Sequence, residues 1–296
     1  MTRAVLAEDL PQPETASAAK HRLFVSLRER ALHGVYGARA AVRLARVGLH
    51  LAWGMSSVAV AYPLLNRRAR AWLKRRWSRQ LLDIIGLRCE FSGFPASQGP
   101  NLLVANHVSW LDIFVINALL PAAFVCKSEV REWPAIGWLC AHTETVFLPR
   151  GSRSAARATA ALIAQRLAQG WAVGVFPEGT TSDGSGLLPF HAALLQGALD
   201  AASPVQALAL RYYGQDGARS EAPVYCGTTS LLESLWRTLG ATELTVRVEV
   251  LPVVRGAADR RELSDRLRQN IAAALSSEHA AGQQEWSGSA AAAPTV

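Results

Sequence analysis

The stretch NLLVANHVSWLD, residues 101–112, decides how the rest of the chain is read. It opens on a short apolar run with no polar alternation, the pattern of a strand buried on both faces. It closes on Ser109 followed three residues later by Asp112, a capping-box variant that predicts a helix from about Ser109. A buried strand turning directly into a helix is half of a βαβ unit. The unit recurs downstream. AAFVCK leads to a short helix in WPAIGWLCAH, and TVFLP leads to SRSAARATAALIAQRLAQG, a helix beginning near Ser152. WAVGVFP leads to a polar loop and the helix HAALLQGALDAA, and PVQALALRYY follows as another strand. ELTVRVEVLPVV and the helix DRRELSDRLRQNIAAAL extend the same domain. The expected fold is α/β: a largely parallel or mixed central sheet flanked by helices, with an N-terminal membrane-associated helical region.

Composition supports one large domain or two small ones. Of 296 residues, half are apolar and only 18% charged, which excludes a disordered chain. The net charge of +8 is carried almost wholly by arginine, since Lys20, Lys74 and Lys127 are the only lysines. Arginine pairs bidentately with phosphate, so a phosphate-bearing partner is expected: nucleic acid, a lipid surface or a small substrate. The position of the charge favours lipid. A basic stretch from Lys20 to Arg79 encloses the uncharged run GLHLAWGMSSVAVAYPLL, residues 48–65. Cations flanking an apolar segment attract anionic headgroups. A nucleic-acid reader would interleave aromatics with arginine in the folded domain, and no such stripe is present, so nucleic acid is not expected.

The run at 48–65 is at the lower limit for a bilayer span, and Gly54 and Pro63 weaken it. A span, a helix embedded in one leaflet and a buried core helix all remain open. RARAWLKRRWSRQLLDIIG then places Trp72, Leu73, Trp77, Leu81, Leu82 and Ile85 on one helical face. The chain thus divides into a flexible N-terminus at 1–20, a basic helical membrane-anchoring region at 21–85, an α/β domain at 86–279 and a disordered tail at 280–296. Cys89, Cys126, Cys140 and Cys226 have neither CxxC nor metal-type spacing and read as small packing residues in a reducing compartment.

In a parallel sheet the strand C-termini open on one edge, where such folds bind ligands. Three loops reach that edge. The first carries His107 and Asp112, an imidazole and a carboxylate that a helix start can bring together. An aspartate accepting the proton of one ring nitrogen leaves the other free as a base. Taken alone, a helix cap explains the same residues. The second carries Arg150, Gly151 and Ser152 at a helix start, an anion site or a surface salt bridge. The third, Phe176-Pro177-Glu178-Gly179-Thr180-Thr181, offers close backbone approach, two hydroxyls and a carboxylate, or is an ordinary turn.

Together these blocks resemble the glycerolipid (lysophospholipid) acyltransferases, most nearly the bacterial 1-acyl-sn-glycerol-3-phosphate group. NHVSWLD is similar to their NHx4D motif and FPEGTTSDG to their FPEGTRS motif. VFLPRGS resembles the third block, and SPVQALAL, with Pro204, the fourth, all in the family's order over about residues 100–210. The resemblance implies transfer of a fatty acyl chain from acyl-CoA or acyl carrier protein to a lysolipid hydroxyl. It implies no metal and no cofactor beyond that donor. His107 would deprotonate the hydroxyl and Asp112 would orient it, so activity is expected to fall as pH drops through the range where imidazoles protonate. Arg150, Glu178, Gly179 and Thr180 match acceptor-binding positions, with Arg150 meeting a phosphate and Glu178 holding a hydroxyl or organising its loop. The expected partners are anionic membrane lipids, the lysolipid and the acyl donor. The expected location is the bacterial inner membrane, with the catalytic domain on its cytoplasmic side. Three departures put the acceptor in question: Thr181 stands where the family has Arg, Pro149 replaces an acid, and His191 occupies the basic position after the later Pro-Phe. A lyso-ornithine lipid or another lysolipid is the alternative acceptor. A hydrolase using the same pair on water, or a non-catalytic lipid-binding membrane protein, would be a different class of function.

Overall fold

The computed structural model describes residues 16–95, 99–148 and 153–289, with side chains described from 34 to 277 within those spans except at 153. The chain opens with two helices, α1 (Ala16–Val60) and α2 (Arg67–Ile85), joined by a 3-10 turn at Tyr62–Leu64. There follow β1 (Leu87–Ser92), β2 (Leu102–Ala105), α3 (Asp112–Leu119), β3 (Ala122–Lys127), α4 (Ile136–His142), β4 (Val146–Leu148), α5 (Arg153–Ala168) and β5 (Ala172–Val175). The C-terminal part is α6 (Gln196–Asp200), β6 (Val205–Tyr213), α7 (Leu231–Gly240), β7 (Leu244–Val254) and α8 (Arg260–Ser289). The lead-in expected at 1–20 and the tail expected at 280–296 fall outside the described residues, except for backbone at the ends of α1 and α8.

The strands form one seven-stranded sheet in the order β1-β7-β6-β2-β5-β3-β4. Every neighbouring pair is parallel except β6 and β7, so the sheet is mixed. β2 and β5 are buried along their whole length, as their uninterrupted apolar runs require. Two apolar layers cover the sheet. One packs Leu81, Leu82 and Ile85 of α2, Val115 and Ile116 of α3 and Leu239 of α7 against one face. The other packs Ile163 and Leu167 of α5 and Leu263, Leu267 and Ile271 of α8 against the opposite face. Sequence patterning did not indicate two elements, β1 and α7. β1 is a half-exposed edge strand, and α7 is a short helix begun by Ser230, whose hydroxyl accepts from Glu233 N at 3.2 Å.

α2 starts on Asn66, whose side chain accepts from Ala69 N at 3.0 Å, and ends at Gly86. Gly86 takes a left-handed φ of 80° and closes the last turn on Leu82 and Asp83. The face expected for this helix is partly corrected. Trp72 is 61% exposed with Arg76 stacked over its ring, and the buried positions are Ser78, Leu81, Leu82 and Ile85.

The basic stretch also differs from its expected use, because many of its cations turn inward to helix C-termini. Arg39 donates to Gly240 O, and Arg43 donates to Leu239 O and Ala241 O, at the end of α7. Lys74, Arg75 and Arg79 reach Ala122 O, Leu119 O and Ala118 O around the end of α3. Unpaired carbonyls and the negative end of the helix dipole favour cations there. Among the described residues no helix is long and apolar enough to cross a membrane, the run at 48–65 included. Its first part completes α1, and its end forms the 3-10 turn.

Candidate active site

The C-terminal ends of β2, β3, β4, β5 and β6 lie on one edge of the sheet. At the end of β2, Asn106 is buried, donating to Leu210 O at 3.0 Å and accepting from Leu210 N at 2.8 Å. This two-point clip to β6 fixes the chain where it leaves the sheet. His107 comes next. Its Nδ1 lies 2.8 Å from Asp112 Oδ2, and Asp112 is fully buried. A carboxylate only accepts, so Nδ1 carries the proton and Nε2 is the unprotonated nitrogen of the neutral ring. The imidazole stacks on Phe176 with centroids 3.9 Å apart and planes 10° apart, which fixes its plane. Its side chain retains 18% exposure, so the ring is accessible from the sheet edge.

Asp112 accepts four hydrogen bonds. Besides His107, Oδ2 takes the backbone N–H groups of Val108 at 2.8 Å and Ser109 at 2.9 Å. Oδ1 takes the hydroxyl of Tyr212 at 2.6 Å. The capping box is therefore realised only in its returning half, from the acid to the Ser109 N–H. Ser109 Oγ accepts from Leu111 N instead, at 3.3 Å, and α3 begins at Asp112 rather than at Ser109. Tyr212 is itself buried on β6, and burial together with the Asp112 charge pushes its hydroxyl far above the ordinary tyrosine range. It stays a neutral donor. Tyr212 carried no local signal in the sequence, since Asp112 lies a hundred residues away in the chain; Asn106 opens the NHx4D-like motif, but nothing local pointed to its partner Leu210, 104 residues away.

The Phe176–Thr181 loop meets the same turn. Glu178 is buried, with Oε1 accepting from His107 N at 2.8 Å and Oε2 from Leu188 N at 2.9 Å. Burial pushes its carboxyl upward against those two bonds. Each Glu178 oxygen thus holds a backbone N–H, one in the His107 turn and one at Leu188. Gly179 has φ 71°, and a Cβ there would stand 2.9 Å from the His191 ring. Gly179 and Thr180 are exposed at the loop tip. The Thr181 hydroxyl donates to Tyr225 O, turning this side chain into the loop after β6. Ser182 N donates to His107 O at 2.8 Å, closing the loop onto the histidine. Arg150, with Pro149, Gly151 and Ser152, lies outside the described residues between β4 and α5. The structure thus brings His107, Asp112 and the Glu178–Thr180 turn together. Among the described residues no group of three or more His, Cys, Asp or Glu side chains is arranged to hold a metal ion.

Chemically, a neutral imidazole held by a buried, fully hydrogen-bonded carboxylate is a general base with one orientation. Comparison with known proteins agrees with that chemistry. Residues 88–211 match the acyltransferase family model. The 1-acyl-sn-glycerol-3-phosphate acyltransferase of Neisseria meningitidis is 42% identical over 187 residues, 62% of this chain and 73% of that protein. The lyso-ornithine lipid O-acyltransferase of Pseudomonas aeruginosa is 37% identical over 214 residues, 72% of this chain and 80% of that protein. The crystal structure of the 1-acyl-sn-glycerophosphate acyltransferase of Thermotoga maritima superposes with a TM-score of 0.57 at 22% identity. The superposition covers 81% of this chain and 98% of the other, and shows the shared fold. The chain belongs to the acyltransferase family.

Proposed function

We infer that the protein is a membrane-associated O-acyltransferase. It moves a fatty acyl group from acyl-CoA or acyl carrier protein to the hydroxyl of a lysophospholipid, with 1-acylglycerol 3-phosphate giving phosphatidic acid. The observation that carries this reading is the His107–Asp112 pair, its proton on Nδ1 and Nε2 left as the base. The acceptor hydroxyl gives its proton to Nε2 as its oxygen attacks the thioester carbonyl. The tetrahedral intermediate collapses, the C–S bond breaks, and the imidazolium returns the proton to the leaving thiolate. Asp112 stabilises the imidazolium between these steps. Arg150 serves as a phosphate ligand in this reading, and Gly179 and Thr180 line the acceptor's approach.

One observation favours a second acceptor. Thr181, neutral and bonded to Tyr225 O, leaves the loop without the cation expected at that position for a phosphate. Lyso-ornithine lipid is therefore an acceptor to be tested beside 1-acylglycerol 3-phosphate.

Membrane association rests on the outer face of α1. Val35, Val42, Leu49, Trp53 and Val60 recur at a spacing that places them on one helical stripe, and all are exposed. Leu64 (85% exposed) and Trp72 continue the apolar surface. An exposed apolar patch of this kind suits an interfacial helix pair lying on the cytoplasmic leaflet of a bacterial inner membrane. The test of function is acyl transfer by the purified protein in detergent, with labelled acyl-CoA or acyl carrier protein and each lysolipid. Release of free fatty acid without acceptor would instead indicate a hydrolase. Wild-type activity lost in His107→Ala is the expected result.

A further inference from the structure

Two of the four cysteines meet in the fold, although their spacing matches no CxxC or metal pattern. Cys126 stands on β3, one residue before its end, and Cys140 stands on α4. The Cys126 thiol donates a hydrogen bond to the Cys140 sulfur. Both cysteines are unbridged, and both residues retain partial exposure. We propose that Cys126 and Cys140 form a redox-reactive dithiol that a hydroperoxide closes to a disulfide, with Cys140 as the attacking sulfur and Cys126 as the resolving one. The inference is independent of the acyl-transfer reading, because none of the groups it uses belongs to the His107 site.

The contact follows from the way the chain leaves β3. Ser128–Glu132 form a 3-10 turn, and the next three residues lead into α4, which brings Cys140 back to the end of the strand. β4 then pairs parallel with β3 and places Phe147 opposite Cys126. β3 is held on both sides, by β5 and by β4, so its backbone has little freedom to move. α4 is the partner that yields. It spans only 7 residues, and no side chain caps its start. It is entered through Ala135 at a φ of 61°, an unfavourable value for a residue with a Cβ. Closing two thiols already in hydrogen-bond contact therefore needs a shift of a short helix and no rearrangement of the sheet.

The two sulfurs are unlike. The hydrogen bond from Cys126 lowers the Cys140 thiol most; burial opposes it, and the Thr145 hydroxyl and the Lys74 ammonium add to the lowering, leaving it at about 7. Lys74 is also bonded to Glu144 at 2.8 Å, so its influence is shared. Its bond to Cys140, together with burial, pushes the Cys126 thiol far above the ordinary range. Near neutral pH Cys140 thus carries thiolate while Cys126 keeps its proton. The Cys140 thiolate attacks one peroxide oxygen, the O–O bond breaks, and the departing hydroxide takes up a proton as water, leaving a sulfenic acid on Cys140. The Cys126 sulfur then attacks the Cys140 sulfur. The S–S bond forms, the S–O bond breaks, and the hydroxyl leaves as water with the Cys126 proton. With hydrogen peroxide, two thiols are oxidised to one disulfide and the peroxide is reduced to two waters. In a reducing compartment such a pair stays open and closes transiently.

The test treats the reduced full chain in detergent with hydrogen peroxide near neutral pH, alkylates with iodoacetamide and maps the peptides by mass spectrometry. A Cys126–Cys140 peptide pair lacking two hydrogens and reversed by dithiothreitol is expected, with Cys89 and Cys226 still alkylated. Before oxidation, Cys140 is expected to alkylate on the order of tenfold or more faster than Cys89, whose thiol burial pushes up to about 12. Cys126→Ser keeps a hydroxyl that can donate to Cys140 but removes the resolving sulfur. It should stop the reaction at a Cys140 sulfenic acid, which dimedone traps, and Cys140→Ser should leave Cys126 unoxidised. Mapping of the wild type decides the bond even where a variant does not fold. Both thiols still alkylated after peroxide, or bridges to Cys89 or Cys226 in place of the Cys126–Cys140 bond, overturn the pairing. A dimedone adduct on Cys126 in Cys140→Ser, or Cys140 alkylating no faster than Cys89, overturns the assignment of Cys140 as the attacking sulfur.

Discussion

At the residue scale the site depends on how Asp112 divides its acceptor capacity. Four donors converge on one buried carboxylate, and only one of them is the His107 imidazole. The Tyr212 hydroxyl is the only side-chain donor to Oδ1 of Asp112 among the described residues, and it fixes the carboxylate's plane against the imidazole. Tyr212→Phe is therefore expected to lower kcat, with KM little changed. Asp112→Asn leaves a side chain that can offer an N–H to His107 and favour the wrong tautomer, and its kcat is expected to fall about 10²–10⁴-fold. Steady-state kinetics of the two variants measures both effects. His107, Asp112 and the Glu178 loop were legible because they lie in short contiguous motifs. Tyr212 was not, and neither was the clip from Asn106, at the head of the same motif, to Leu210, since a tyrosine in PVQALALRYY and an asparagine after a strand look the same whether or not a distant partner exists.

At the element scale, α1 and α2 are joined to the sheet domain by a buried polar knot. Glu144, just before β4, is bonded by Tyr62 OH at 2.6 Å and 2.7 Å and by Lys74 Nζ at 2.8 Å. Burial alone would push the Glu144 carboxyl up. The Lys74 ammonium, with the hydrogen bonds from Lys74 and Tyr62, outweighs burial and holds it below its ordinary value. A depressed folded-state pKa means that this stabilisation is present above the ordinary carboxyl value of 4.5 and is lost as pH falls through the lower folded value. Thermal unfolding of wild type and Glu144→Gln should therefore differ most near neutral pH and converge in acid. Lys74→Met leaves the buried carboxylate with only the more distant Arg70, whose Nη1 lies 3.9 Å from Oε1, and is expected to cost about 3 kcal/mol near pH 7. The βα alternation was legible because strands buried on both faces read as unbroken apolar runs. The antiparallel direction of β7 was not, because alternation along ELTVRVEVLPVV reports which faces are buried and not which way the strand runs.

For the whole molecule, the net charge of +8 overstates the charge offered to a surface, because Arg39, Arg43, Lys74, Arg75 and Arg79 bond to carbonyls inside the fold. On the proposed membrane reading, binding to anionic vesicles should survive high salt better than a polybasic surface would allow. It should be lost in Leu49→Glu/Trp53→Glu, which interrupts the apolar stripe of α1. Vesicle co-sedimentation at low and high salt separates the two contributions; binding abolished by salt and indifferent to the stripe would contradict it.

The central claim is that His107, oriented by Asp112, activates an acceptor hydroxyl. It is tested most directly by acceptor-dependent transfer of labelled acyl groups from acyl-CoA or acyl carrier protein to a lysolipid panel, with wild type and His107→Ala side by side. The account predicts transfer by wild type to at least one lysolipid and its loss in His107→Ala, with the variant still folded by circular dichroism. Transfer retained in His107→Ala, or absent from wild type with every donor and acceptor, would contradict it.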